Sequence, residues 1–190
     1  QEIFGVNDHV RAVVAMYAGL GYSAVAPALF DRLERDVRLG YSEADHGTGI
    51  AFAQRLQPDT LALDIGAAVA SVRGAGKVGV IGYCLGGALS WFAAATIDGL
   101  SAAVSYYGAQ IPMFAEARPR VPIQFHLARR DAYFPLATAR ELCGAVETGE
   151  VHDYDADHGF ACDHRAPVFD PAASALALER SVGFLRRHLG

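Results

Sequence analysis

The sequence predicts an α/β fold, an open and mostly parallel sheet with helices on both faces. Three observations lead there. Short apolar runs alternate with longer amphipathic segments along the chain, the pattern of repeated βαβ units. Residues 78–87, Val-Gly-Val-Ile-Gly-Tyr-Cys-Leu-Gly-Gly, join an apolar run to an alanine-rich segment through a glycine-flanked turn. The 190 residues are 52% hydrophobic and 19% charged, which suits one domain, residues 1–190, with a large core.

Each element has a local reason. Asn7 or Asp8 caps a first helix whose apolar positions are Val10, Val13, Val14 and Tyr17, and Gly19 to Gly21 stop it. Residues 23–26 read as a short strand ended by Pro27, and residues 28–50 as a polar, aperiodic excursion or lid over the sheet rim. A helix over about 60–72 leads through Gly74-Ala-Gly76 into a buried strand at 78–81 and a helix at 88–95. Strands follow at 102–107 and 121–128, Pro135 opens a helix at its first turn, and a strand at 150–154 precedes a closing helix at 172–189.

The turn at Cys84 carries the chemistry. Strand must fold back into helix so sharply that Gly82 and Gly86 have no room for a Cβ, and the residue between them is strained. Gly-x-Cys-x-Gly is thus a nucleophile elbow with cysteine where serine usually stands. Its sulfur sits beside a helix N-terminus, whose positive end favours thiolate. The alternative is a glycine-rich turn around a buried, inert cysteine.

An elbow needs an acid and a histidine after it in the chain. Asp131 follows the strand at 121–128, and His158 follows the strand at 150–154 with Gly159 giving freedom to turn the ring inward. Strand carboxyl ends are where open parallel sheets place their sites, so Cys84, Asp131 and His158 form a triad by position. Of the other six histidines, His9 and His188 fall on helices, His126 and His152 on strands, His46 in a polar loop and His164 beyond the site loop. Asp155 and Asp157 are close to His158 in sequence, but a neighbouring loop reaches the far ring nitrogen more easily, which favours Asp131.

Composition excludes other classes. A net charge of −5 leaves no basic stripe for nucleic acid, Arg129-Arg130 and Arg186-Arg187 being too short. No apolar stretch reaches the about 20 residues of a membrane span. Cys84, Cys143 and Cys162 make no disulfide framework, which suits a reducing cytosol. Asp153-x-Asp155-x-Asp157-His158 lacks the glycine and distal glutamate of a calcium loop and reads as an acidic solvated loop. No metal, nucleotide or flavin motif is present, so no cofactor is expected.

Gln1-Glu2-Ile3-Phe4-Gly5-Val6-Asn7, Gly82-Tyr83-Cys84-Leu85-Gly86-Gly87, Tyr106-Tyr107-Gly108, Asp131 and His158-Gly159-Phe160 together resemble the dienelactone hydrolase (carboxymethylenebutenolidase) family of α/β-hydrolases over nearly the whole chain. The resemblance implies cleavage of a small ester or lactone by a Cys84–His158–Asp131 triad through an acyl-enzyme. It also implies an oxyanion hole from the backbone N–H groups of Leu85 and Ile3, and a contact from Glu2 to the resting thiol. The sequence departs from the family at its carboxylate-binding arginines. The position four beyond His158 is Cys162, the other aligns near His46, and Arg38, Arg55 and Arg165 are the arginines nearest them. The family also has strands before the Gln1-Glu2 segment. The expectation is therefore a sheet lacking those strands, with an exposed edge and with Glu2 and Ile3 poorly anchored. A thioesterase or acyl transferase on the same site, or a non-catalytic module, remain alternatives. The expected partner is a small-molecule substrate, with the chain a monomer or homodimer.

Overall fold

Asn7 makes the predicted cap: its Oδ1 accepts from Val10 N at 3.2 Å, and helix α1 runs Asp8–Gly19. The structure, a computed structural model, describes residues 1–190 as two compact units, Gln1–Gly76 and Lys77–Gly190. In the first unit α1 is followed by α2 (Glu43–Ala53) and α3 (Pro58–Val72). α3 starts with proline at its first turn and buries Leu61, Ile65 and Val69, one residue per turn on one stripe.

Two expectations fail in this unit. Residues 23–26 form no strand: apolar alternation gives only the tendency, and a strand exists only with a neighbour to complete its ladder. The supposed loop at 28–50 contains the start of α2, so His46 is helical. A capping box nucleates α2, with Ser42 Oγ accepting from Asp45 N and Asp45 Oδ2 from Ser42 N, both at 3.1 Å. Apolar periodicity missed it because the helix buries only Gly49 and Phe52.

The first residues are also better held than expected. Gln1 Oε1 accepts from Leu29 N at 3.1 Å, and Phe4 O accepts from Leu39 N at 2.9 Å. Gly5 bridges Arg38 with φ 74, where a Cβ would overlap the Val37 carbonyl. Glu2 and Ile3 are buried. Contacts within the unit, not a strand ladder, do the anchoring.

The second unit carries the sheet. β1 (Val78–Tyr83), α4 (Leu85–Thr96), β2 (Leu100–Tyr106), β3 (Ile123–Ala128), α5 (Leu136–Gly144), β4 (Gly149–Tyr154) and α6 (Pro171–Leu189) follow in order. The strands lie β1-β2-β3-β4 and every pairing in this sheet is parallel, in keeping with the expected fold. Pro135 is the cap of α5 and not its first turn.

Both faces are covered, as strand alternation requires. On one face Ile123, Phe125 and Leu127 of β3 join Trp91 of α4 and Ala139 and Cys143 of α5 in the main apolar cluster. The alternate residues meet α6. Ser181 Oγ lies 2.7 Å from Tyr106 Oη and 2.9 Å from His126 Nε2, and His126 Nδ1 is 2.7 Å from Tyr154 Oη. A buried polar network thus ties three strands to one helix, on which Phe184 and Leu185 are also buried.

Candidate active site

The elbow forms where the glycines place it. Cys84 takes φ 54 and ψ −112, a conformation costly for a residue with a side chain. A Cβ on Gly82 would overlap the Gly86 carbonyl and stand 2.7 Å from Ser90 Oγ, so only glycine fits. The strain is held from several sides. Cys84 N donates to Tyr106 O at 3.0 Å, Ser90 Oγ to Gly86 O at 3.0 Å, and Ser105 Oγ to Gly87 O at 2.8 Å. Leu85 begins α4 directly after the cysteine, so its N–H belongs to the helix start, where backbone donors lack intrahelical partners.

Asp131 and His158 meet. Asp131 Oδ2 lies 2.8 Å from His158 Nδ1, and their side chains are 2% and 8% exposed. The other oxygen, Oδ1, accepts from Tyr133 N at 2.8 Å and Phe134 N at 3.1 Å. Both carboxylate oxygens are therefore fixed. Gly159, at φ 89, turns the chain after the histidine, and a Cβ there would stand 3.0 Å from Arg165 Nη1.

Cys84 lies beside the same ring, close enough for the charge and hydrogen bonding of its sulfur to raise the His158 pKa. With Nδ1 taken by Asp131, Nε2 is the nitrogen left for the sulfur. Burial is the largest single influence and pulls the imidazolium down, but the Cys84 charge, the hydrogen bonds to Asp131 and Cys84 and the Asp131 charge together exceed it. The net effect raises the His158 pKa to about 10. A protonated histidine beside a cysteine sulfur is the arrangement that supports a thiolate.

The remaining candidates are placed elsewhere. Cys143 and Cys162 are buried, and burial pushes the Cys143 thiol up to about 12, whereas Cys84 is partly exposed. His126 is sealed beneath α6, His152 lies beside Glu150 on β4, and His188 packs on Phe184. Glu2 and Ile3 lie in the first unit, and neither Glu2 carboxylate oxygen has a hydrogen-bond partner.

The acidic run is solvated at Asp155 and Asp157, but Asp153 lies on β4 and all three aspartates are paired with arginines. Asp153 pairs with Arg129 and Arg140 at 2.5 Å each, and Arg130 bridges Asp155 and Asp157. Each acidic residue is matched by an arginine that composition alone leaves unassigned. Two aromatic rings lie against the histidine: Tyr107, which the sequence offered only within the Tyr106-Tyr107-Gly108 motif, and Tyr133, which sequence reasoning missed. The Tyr107 ring centroid is 5.0 Å and that of Tyr133 4.9 Å from the His158 ring. Tyr133 stands two residues after Asp131, and that proximity was the available signal.

Comparison with known proteins gives a consistent result. The dienelactone hydrolase family model matches residues 1–189. Carboxymethylenebutenolidase of Pseudomonas putida is 35% identical, over 97% of this chain and 82% of that protein. Carboxymethylenebutenolidase of Pseudomonas sp. strain P51 is 33% identical, over 98% and 82% respectively. Among solved structures, a Klebsiella pneumoniae subsp. pneumoniae protein assigned as a dienelactone hydrolase matches with TM-score 0.80 and 25% identity, covering 99% of this chain and 85% of that one. A dienelactone hydrolase-like promiscuous phosphotriesterase from metagenomic libraries shares the fold, with TM-score 0.76 and 20% identity over 100% of this chain and 84% of that one.

Proposed function

The chain belongs to the dienelactone hydrolase family of ester and lactone hydrolases, and from that premise we propose that it cleaves a small ester or lactone through a thioester on Cys84. The observation that carries the reading is the juxtaposition of a strained, partly exposed cysteine with the buried His158–Asp131 pair.

The thiolate of Cys84 attacks the substrate carbonyl and forms a tetrahedral oxyanion. The backbone N–H of Leu85 receives that charge, and losing such a donor typically costs ~3 kcal/mol of barrier lowering. The intermediate collapses as the acyl C–O bond breaks, and the His158 proton goes to the leaving oxygen. Neutral His158 then takes a proton from water, whose oxygen attacks the thioester and releases the acid and the thiolate. Asp131 holds the ring tautomer and stabilises its charged form. The reading stops at small esters and lactones, because Cys162 stands where the family's dienelactone-specific members carry an arginine.

Burst kinetics with p-nitrophenyl acetate test this. The expected result is a stoichiometric burst followed by turnover, lost on iodoacetamide treatment and in Cys84→Ala. Undiminished turnover in Cys84→Ala would rule the mechanism out.

A further inference from the structure

We propose that Tyr133 is the wall against which the alcohol part of the substrate lies, so that the enzyme favours esters whose leaving alcohol carries a flat apolar group. The proposal rests on the assignment of Cys84 and His158 made above.

Two aromatic rings flank the His158 imidazole, and they differ in access. Tyr107 is 0% exposed, inclined at 60° to the imidazole and backed by Phe160 at 5.3 Å. Nothing can enter beside it. Tyr133 meets the imidazole nearly edge-on, at 77°, and is 59% exposed. The open approach to the histidine is therefore the one Tyr133 borders.

The chemistry needs that approach. When Cys84 Sγ displaces the alcohol, the acyl C–O bond breaks and the departing oxygen must lie against His158 to take its proton. Nδ1 is occupied by Asp131, so the oxygen sits at Nε2. The carbon attached to it must point away from the sealed side, toward the exposed ring.

Lone exposed aromatics are ordinary on protein surfaces and by themselves mean nothing. Tyr133 differs because its position is fixed by the site. Its backbone N–H donates to Asp131 Oδ1 at 2.8 Å, and the next residue, Phe134, is buried in the main apolar cluster. The Tyr133 backbone is thereby tied to the carboxylate that orients the base. Its ring offers a flat surface, suited to stacking or edge contact with another ring.

Benzyl acetate and ethyl acetate give the same acetyl-enzyme, so their ratio of kcat/KM reports the alcohol alone. In Tyr133→Ala the benzyl-to-ethyl ratio is expected to fall about fivefold, the worth of one aromatic contact, while Tyr133→Phe keeps the ratio of the unmodified protein. An equal loss for both esters would mean the ring only shields the histidine, and no change for either would mean it touches nothing; each outcome overturns the proposal. Cys84→Ala is measured alongside. If it abolishes turnover while the ratio is unmoved in Tyr133→Ala, the wall alone is refuted. If turnover survives in Cys84→Ala, the underlying assignment falls with it.

Discussion

His158 is held by charge on two sides, and its protonation state is the most sensitive reporter of the site. Two of the four contributions that raise its pKa come from Cys84, and burial opposes them all. Removing the sulfur should therefore lower the titration, since desolvation then meets only Asp131. Nitrogen-detected NMR of the imidazole should show His158 still protonated at pH 8 in the unmodified protein, with a midpoint near 10. In Cys84→Ala the midpoint should move down. An unchanged midpoint would mean the sulfur and ring do not interact. At this scale the triad was legible because each residue carries its own signature: glycines around Cys84, a strand end before Asp131, and a glycine after His158. Tyr133 was not, because an aromatic residue looks the same in sequence whether it fills a core or borders a base.

Between elements, the loops after β3 and β4 are zipped together beyond the ends of their strands. Arg129 N donates to Tyr154 O at 2.9 Å and Arg130 N to Ala156 O at 3.1 Å, extending the ladder toward the Asp131–His158 bond. The arginine side chains reinforce it through Asp153, Asp155 and Asp157. Exposed pairs of this kind are each worth about 0–1 kcal/mol and weaken with salt. Arg130→Ala should consequently change unfolding stability by no more than ~1 kcal/mol. Its kcat on an uncharged ester should fall several-fold, because placement of a base is far more demanding than stability. Activity of the unmodified protein should decline with added NaCl, and that of Arg130→Ala should not; identical salt profiles would exclude the ionic clamp. The sequence reading treated Arg129-Arg130 only as a basic spot too short to bind nucleic acid and the aspartates as a solvated loop, since partners 24 to 27 residues apart become visible only when β3 and β4 pair. α2 was hidden for a related reason: a capping box starts it, whereas apolar periodicity, the main signal for helices, is weak along it.

In the molecule as a whole, two buried histidines make stability depend on pH in opposite senses. His126 is held well below its ordinary pKa, first by burial and then by the charges of His152 and Arg180. Below about pH 6.5 the unfolded chain binds a proton that folded His126 refuses, so stability falls with pH by up to ~1.4 kcal/mol per unit. His158, raised in the folded state, contributes fully below about pH 6.5, and its contribution is lost as pH rises through about 10. Urea unfolding across pH should therefore show a maximum between these limbs. His126→Gln should flatten the acid limb, and an acid limb of equal slope in that variant would remove His126 as its source. The alternation of elements that announced an α/β chain was correct at this scale for β1 to β4 and the helices among them, because each buries a face that its sequence shows. It failed at residues 23–26, whose pattern is that of a strand but which form no ladder.

The central claim is that Cys84 carries the acyl group, and trapping that species tests it most directly. The protein would be mixed with p-nitrophenyl acetate, quenched in acid within the burst, digested and mapped by mass spectrometry. The account predicts one acetyl group on the peptide containing Cys84, removed by hydroxylamine, discharged on longer incubation and absent in Cys84→Ala. Ester turnover with no acetyl on that peptide, or with the acetyl on another residue such as Ser90, would contradict it.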